Sequence, residues 1–321
     1  MHKIFLLKIK HILEMLKNFE IKYEIIKSYK NPFTGRFLTI FDLYKESKLA
    51  ILNSVYDILI FNIQTTECIH KININESNKI YCLKWISKSK LAIGLFYNIQ
   101  IWDLAENAKL KDLNHNIVSI DDLYYNELNN HLICSLLNGD VKIWDLNSYE
   151  CIRKLNHSTN LKILINNKNG KMIGYNYFDK EIKVWNAFLN YECELVKKVN
   201  DDCFIDLTSD GNILCIFQRY IEVLDCLNGN RLKYIYLYEK IPNGLKMFKI
   251  ISEFLCLVVS EESSQIDLQL FNLYLGEFVH KFDKIEAIKS IQSLCLLENG
   301  DFILMDDNEN ERFIKFYMLK I

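Results

Sequence analysis

The residues most able to do chemistry in this 321-residue chain are its seven histidines and ten cysteines, and their spacing offers no reaction. His2, His11, His70, His115, His131, His157 and His280 are scattered, and no H-E-x-x-H zinc helix, G-x-S-x-G nucleophile elbow or Gly-rich phosphate loop occurs. No C-x-x-C pair is present, and Cys134, Cys215, Cys256 and Cys295 sit singly inside apolar runs, as reduced, buried, small hydrophobes do. No catalytic residue, metal ligand or cofactor site is therefore expected, and the chain reads as a non-enzyme.

A second set of residues suits recognition. Tyr56, Phe96, Tyr97, Tyr177, Phe178 and Tyr220, with Arg219 beside the last, fall in short polar turns between apolar runs. Aromatics and Arg are the side chains that most often anchor interfaces. Two later turns are acidic instead, with Glu261 and Glu262 in one and Asp306, Asp307 and Glu309 in the other, and form a candidate acidic sector. A net charge of −2 gives no general attraction for nucleic acid or anionic lipid, and no apolar run is long enough to span a bilayer. Half of the residues are hydrophobic and a quarter charged, a composition that folds into a soluble globule. With no signal peptide recognised, a cytoplasmic setting is expected, the nucleus being left open.

The elements that must hold these turns repeat. "VKIWD" (141–145) has counterparts in "DILIFN" (57–62), "NIQIWD" (98–103), "EIKVWN" (181–186), "YIEVLD" (220–225), "DLQLFN" (267–272) and "RFIKFY" (312–317). Their large residues, Phe61, Trp102, Trp144, Trp185, Leu224, Phe271 and Phe316, are 41, 42, 41, 39, 47 and 45 residues apart, a period that marks a repeated supersecondary unit. In the first six copies the next residue is Asn62, Asp103, Asp145, Asn186, Asp225 or Asn272, able to accept backbone N–H bonds and close a turn. A further strand follows each, as in "YECIRKL" (149–155), and two apolar runs precede it. Four short strands every 40–45 residues or so make the blade of a β-propeller.

The strand ends "IWD" and "VWN" at this period resemble the WD-repeat family over roughly residues 20–321. That family's blades often join a His, an Asp, a Ser or Thr and the Trp by hydrogen bonds. Here His157, Asp179 and Trp185 match within one blade, with Tyr175 or Tyr177 at the Ser/Thr position. The preceding blade offers His115, Ser135 and Trp144, with Asn138 in place of the Asp. Trp102, Asp103, Trp144, Asp145, His157, Asp179 and Trp185 are accordingly expected to be structural.

Seven third strands imply an all-β, seven-bladed ring. The last copy lacks a fourth strand, and "YEIIKSY" (23–29) aligns with "YECIRKL", so the N-terminal strand is expected to close the last blade. Lys27, His70, Arg153 and His280 recur at one position of the fourth strand, where charge discourages pairing with other chains. Residues 1–20 form a separate segment before the propeller of 21–321. In it Phe5, Ile9, Ile12, Leu13 and Leu16 line one side of an amphipathic helix, fit to pack on the propeller, bind a partner or touch a membrane surface.

The family resemblance implies a monomeric scaffold or adaptor within a complex, binding a protein or peptide on the ring face that carries the turns between second and third strands. The alternatives are a phosphoinositide- or nucleic-acid-binding propeller and an enzyme with a site in the central channel. "FQRY" (217–220) shares only Phe and one Arg with the Phe-Arg-Arg-Gly motif of lipid-binding propellers, and the charge balance argues against nucleic acid.

Overall fold

The structure, a computed structural model, describes residues 22–30, 41–44, 48–52, 57–62, 65, 67–74, 79–114, 119–156, 161–208, 210–237, 245–250, 255–262, 265–272, 277–281, 291–296, 302–308 and 313–320. The expected helix of residues 1–20 lies outside these, as do Tyr56, His115, His157 and Glu309. The chain divides into two compact units, Phe37–Cys215 with Val223–Leu232, and Met1–Arg36 with Ile216–Glu222 and Lys233–Ile321.

Strand β1 (Lys22–Lys30) belongs to the last sheet. In the larger unit, β2 (Phe41–Tyr44), β3 (Lys48–Leu52), β4 (Asp57–Asn62) and β5 (Cys68–Asn73) form a first antiparallel sheet in chain order. The second holds β6 (Ile80–Trp85), β7 (Lys90–Leu95), β8 (Asn98–Asp103) and β9 (Ala108–Asn114). β10 (Ile120–Asn126), β11 (His131–Leu136), β12 (Asp140–Asp145) and β13 (Glu150–Asn156) make the third. The fourth holds β14 (Leu161–Asn166), β15 (Lys171–Asn176), β16 (Glu181–Asn186) and β17 (Glu192–Lys198). β18 (Phe204–Leu207), β19 (Ile213–Ile216), β20 (Tyr220–Leu224) and β21 (Arg231–Tyr236) form a fifth sheet that supplies residues to both units.

In the smaller unit, β22 (Leu245–Ile250), β23 (Leu255–Glu262), β24 (Gln265–Asn272) and β25 (Glu277–Lys281) repeat the pattern. There β26 (Ile291–Leu296), β27 (Phe302–Asn308) and β28 (Phe313–Lys320) are joined by β1, which pairs antiparallel with β28 from Lys22 opposite Lys320 to Lys30 opposite Phe313. The first strand of the chain thus occupies the fourth-strand place.

Each strand's composition follows from its place. The second strands β7, β11 and β15 are covered on both faces, so they run apolar without alternation and are buried almost throughout. The fourth strand β13 is exposed at nearly every residue and carries charge. Between third and fourth strands a β-bulge recurs at Ile60/Phe61, Ile101/Trp102, Ile143/Trp144, Val184/Trp185 and Leu270/Phe271. A bulge twists an outer strand and interrupts its free edge, so it works with the charges at His70 and Arg153 against edge pairing. The same register corrects one repeat residue. Lys27, the counterpart of His70 and Arg153, lies opposite Phe316, so Tyr317 and not Phe316 stands at the position of Phe61 and Trp144. Two adjacent aromatics cannot be told apart by period alone.

The core fills the layers between neighbouring sheets. Trp144 packs with Cys82, Ile101, Leu123 and Leu132 between the second and third sheets, and Trp185 with Ile143, Leu161, Met172 and Tyr191 between the third and fourth. Gly174 leaves room for that ring, since an added Cβ would meet Trp185 at 2.8 Å and Leu161 at 2.9 Å. Ser135 and Trp144 of the third sheet do not hydrogen-bond each other. The indole N–H of Trp144 is buried with no partner among the described residues, at a cost of about 1–3 kcal/mol. Ser135 instead bonds the backbone of Asp122, accepting from its N–H at 3.1 Å and donating to its carbonyl at 3.3 Å. Register is the reason: Ser135 lies opposite Val141, whereas Trp144 lies opposite Leu132. Trp102 bonds its own strand, donating to Gln100 Oε1 at 2.9 Å.

Candidate functional site

Antiparallel order gives each sheet two ends. In the larger unit, the turns after first and third strands share one end. The turns between second and third strands share the other with the starts of the first strands.

At the first end the Asp and Asn positions act as expected. Asp103 Oδ1 accepts from Ala105 N at 2.9 Å, Asp145 Oδ1 from Asn147 N at 2.9 Å, Asn186 Oδ1 from Phe188 N at 3.0 Å and Asp225 Oδ1 from Leu227 N at 2.7 Å. The turns then need a left-handed residue, supplied by Asn107, Tyr149, Asn190 and Gly229. Side chains also cross between sheets here. Asn129 Nδ2 donates to Ala187 O at 3.0 Å, Asn166 Nδ2 to Gly211 O at 2.8 Å, and Asn169 Nδ2 to Cys226 Sγ at 3.3 Å. His131 Nδ1 lies 3.0 Å from the hydroxyl of buried Tyr191, and Asp42 accepts from Trp85 N at 2.6 Å and pairs with Lys84 at 2.9 Å. Burial pushes the His131 imidazole down from its ordinary pKa, partly opposed by Asp145.

The second end carries most of the expected recognition residues. In the two-residue turn before β8, Tyr97 stands edge-on to Phe96 at 4.6 Å between centroids, and Phe96 faces Tyr81 at 6.1 Å. Before β16, Asn176 Oδ1 accepts from Phe178 N at 2.8 Å and Asp179 N at 2.9 Å, a side-chain-closed turn that leaves Phe178 70% exposed. Tyr177 rests edge-on against Tyr175 at 4.7 Å, and Tyr175 is buried, its hydroxyl accepting from Cys203 N at 3.3 Å. Tyr97 is 48% and Tyr177 38% exposed. Rings beneath and turn bonds beside them hold these side chains out. Leu137, exposed before β12, joins them, and nothing in the sequence set it apart.

Arg219 and Tyr220 belong to the smaller unit. Tyr220 is stacked between Phe217 at 4.3 Å and Tyr234 at 5.2 Å, while Arg219 is exposed and its carbonyl accepts from Leu237 N at 3.0 Å. The four described residues of the acidic sector lie in strands, not turns. Glu261 and Glu262 pair with Ile266 and Gln265 at the tips of β23 and β24, and Asp306 and Asp307 lie within β27 opposite Lys315 and Ile314. The apolar runs of these strands continue further into the polar residues than alternation indicates.

Two carboxylates at the second end were not legible in the sequence. Asp121 is the extra residue of a bulge at the start of β10, between Ile120 opposite Leu136 and Asp122 opposite Ser135. Burial raises the carboxyl pKa of both, with Lys162 acting in the other direction. Asp122 accepts from Leu123 N at 2.8 Å and bonds the Tyr124 hydroxyl. Cys68, Cys82, Cys134, Cys151, Cys193, Cys203, Cys215, Cys226 and Cys256 are in the thiol form, and no three His, Cys, Asp or Glu side chains among the described residues gather around a metal-sized space. No helix among the described residues is long and apolar enough to cross a membrane.

No family model matches the chain, and no curated protein matches it. Among solved structures, a chain of the crystal structure of a mitotic checkpoint complex is similar to it at 13% identity and a TM-score of 0.70, covering 93% of this chain and 92% of that one. At that identity the likeness concerns the fold alone, a WD-repeat-like β-propeller. In all, 1704 chains of solved structures match, so the fold is common and does not by itself select an activity.

Proposed function

We propose that the sheets are the blades of a seven-bladed ring, closed where β1 pairs with β28, and that the ring is a non-enzymatic scaffold binding a protein or peptide. The working face is the end that carries the turns between second and third strands. One observation carries this reading: Tyr97, Tyr177 and Phe178 share that end in the larger unit and are held exposed by the rings and turn bonds around them. Large exposed aromatics on a rigid frame supply contact area at little conformational cost. The structural neighbour comes from a complex, in keeping with protein partners. A cytoplasmic monomer that joins a larger assembly fits the composition.

The test is affinity purification with mass spectrometry, comparing wild type with the triple variant Tyr97→Ala, Tyr177→Ala and Phe178→Ala, after circular dichroism has shown that the variant folds. Selective loss of partners is expected. An unchanged partner list would overturn the choice of face and turn attention to residues 1–20 and the basic outer strands.

A further inference from the structure

We infer that the partner presents a basic segment, and that a Lys or Arg side chain of it seats against Asp121 and Asp122 among the exposed aromatics of the larger unit. The inference rests on the proposed working face and adds the chemistry of what binds there.

Charge accounting at this end supports it. Asp57 pairs with Lys71 at 3.0 Å, Asp140 with Lys154 at 2.9 Å, Glu181 with Lys183 at 3.0 Å and Asp202 with Lys180 at 3.6 Å. In each case the cation is near in sequence and the charge is answered within the chain. Asp121 and Asp122 differ. Asp121 is exposed and makes no hydrogen bond or ion pair among the described residues. Asp122 is half-buried, its carboxylate held among the described residues by Leu123 N and the Tyr124 hydroxyl. Lys162 acts on both carboxylates without an ion pair to either, and Lys84, which acts on Asp122, is committed to Asp42 at 2.9 Å.

Burial makes Asp122 a poorer anion than in water, so an incoming cation relieves a cost as well as adding an attraction. The neighbouring sheets supply the rest of the seat. Tyr97 lies in the second sheet's turn, and Tyr177 and Phe178 in the fourth's, on either side of the third sheet that carries the two carboxylates. A Lys or Arg has an apolar stem to lay on rings and a cationic head for carboxylates or for a ring face. An anionic partner such as a nucleic acid would instead be repelled here.

The test pans a displayed library of random 12-residue peptides on the full chain and measures the enriched peptides by fluorescence anisotropy. The targets are wild type, Asp121→Asn with Asp122→Asn, and Tyr97→Ala with Tyr177→Ala and Phe178→Ala. Enrichment of Lys- or Arg-bearing peptides is expected, with binding at least tenfold weaker in the Asn variant. Should the double Asn variant not fold, Asp121→Asn alone, at an exposed position, should still weaken binding severalfold. Peptides that lose affinity in the aromatic variant but not in the Asn variants would overturn the basic partner and leave the face standing. Enrichment without basic bias, insensitive to both, or no enrichment at all, would overturn the inference and the choice of face together.

Discussion

The two ends of the larger unit are built from the same strands yet use their side chains differently. At one end the polar side chains are turned inward on the fold: Asp103, Asp145 and Asn186 close their own turns, and Asn129, Asn166 and Asn169 tie one sheet to the next. At the other end Tyr97, Tyr177 and Phe178 project, as Phe188, Leu189 and Leu227 do at the first, and Asp121 has no hydrogen-bond or ion-pair partner among the described residues. Satisfied polar groups stabilise a fold but leave little for a ligand to gain. On the proposed function, the repeat divides its labour along the strand, with stability at one end and recognition at the other.

The largest stability loss should come from cutting a tie between sheets. Asn166→Ala removes the buried bond to the Gly211 carbonyl and should cost about 1–3 kcal/mol in urea denaturation. Next comes Gly170→Ala, at φ +68° with the Phe188 ring 2.4 Å from the new Cβ; a loss of about 1–2 kcal/mol is expected from the left-handed backbone alone.

Asp145→Ala should cost about 1 kcal/mol, as the loss of a capping side chain does. The Asn147 backbone N–H, then the Ser148 and Asn147 side chains, hold the Asp145 carboxyl below its ordinary pKa. Its contribution is therefore present above the unfolded value of about 3.9 and lost as pH falls through the folded one. The variant should accordingly differ from wild type at neutral pH and converge with it in acid.

The opposite end should respond differently. Phe178→Ser, at a position 70% exposed, should leave stability within about 0.5 kcal/mol. Asp122→Asn should stabilise the fold at neutral pH, because burial raises this carboxyl's pKa. The group disfavours folding increasingly as pH rises from about 3.9 through its folded value, so the gain should grow with pH over that range. A variant that is destabilised at neutral pH would mean that Asp122 is structural, and the contrast between the ends would weaken.

How much of this was legible depended on whether local pattern or register decided it. The period from Phe61 through Trp185 and the turn role of Asp103, Asp145, Asn186 and Asp225 were visible, because a single side chain and the backbone two residues on settle a turn. Tyr97, Tyr177 and Phe178 were visible as turn residues, though not the rings beneath them. What register decides was hidden. The bulge at Asp121, the mismatch that leaves Trp144 without a described hydrogen-bond acceptor, and the place of Tyr317 all depend on which residue of the next strand lies opposite. The strand positions of Glu261, Glu262, Asp306 and Asp307 were missed because alternation does not mark where a hairpin stops pairing.

The division of labour is tested most directly by measuring urea stability and partner capture side by side in two variants. One is Tyr97→Ala with Tyr177→Ala and Phe178→Ala; the other is Asp145→Ala with Asn166→Ala. The expected result is a crossed pattern: the first variant keeps most of its stability and loses its partners, while the second loses roughly 2–4 kcal/mol and, at temperatures where it remains folded, keeps them. Partners lost equally from both folded variants, or retained by the first, would contradict it.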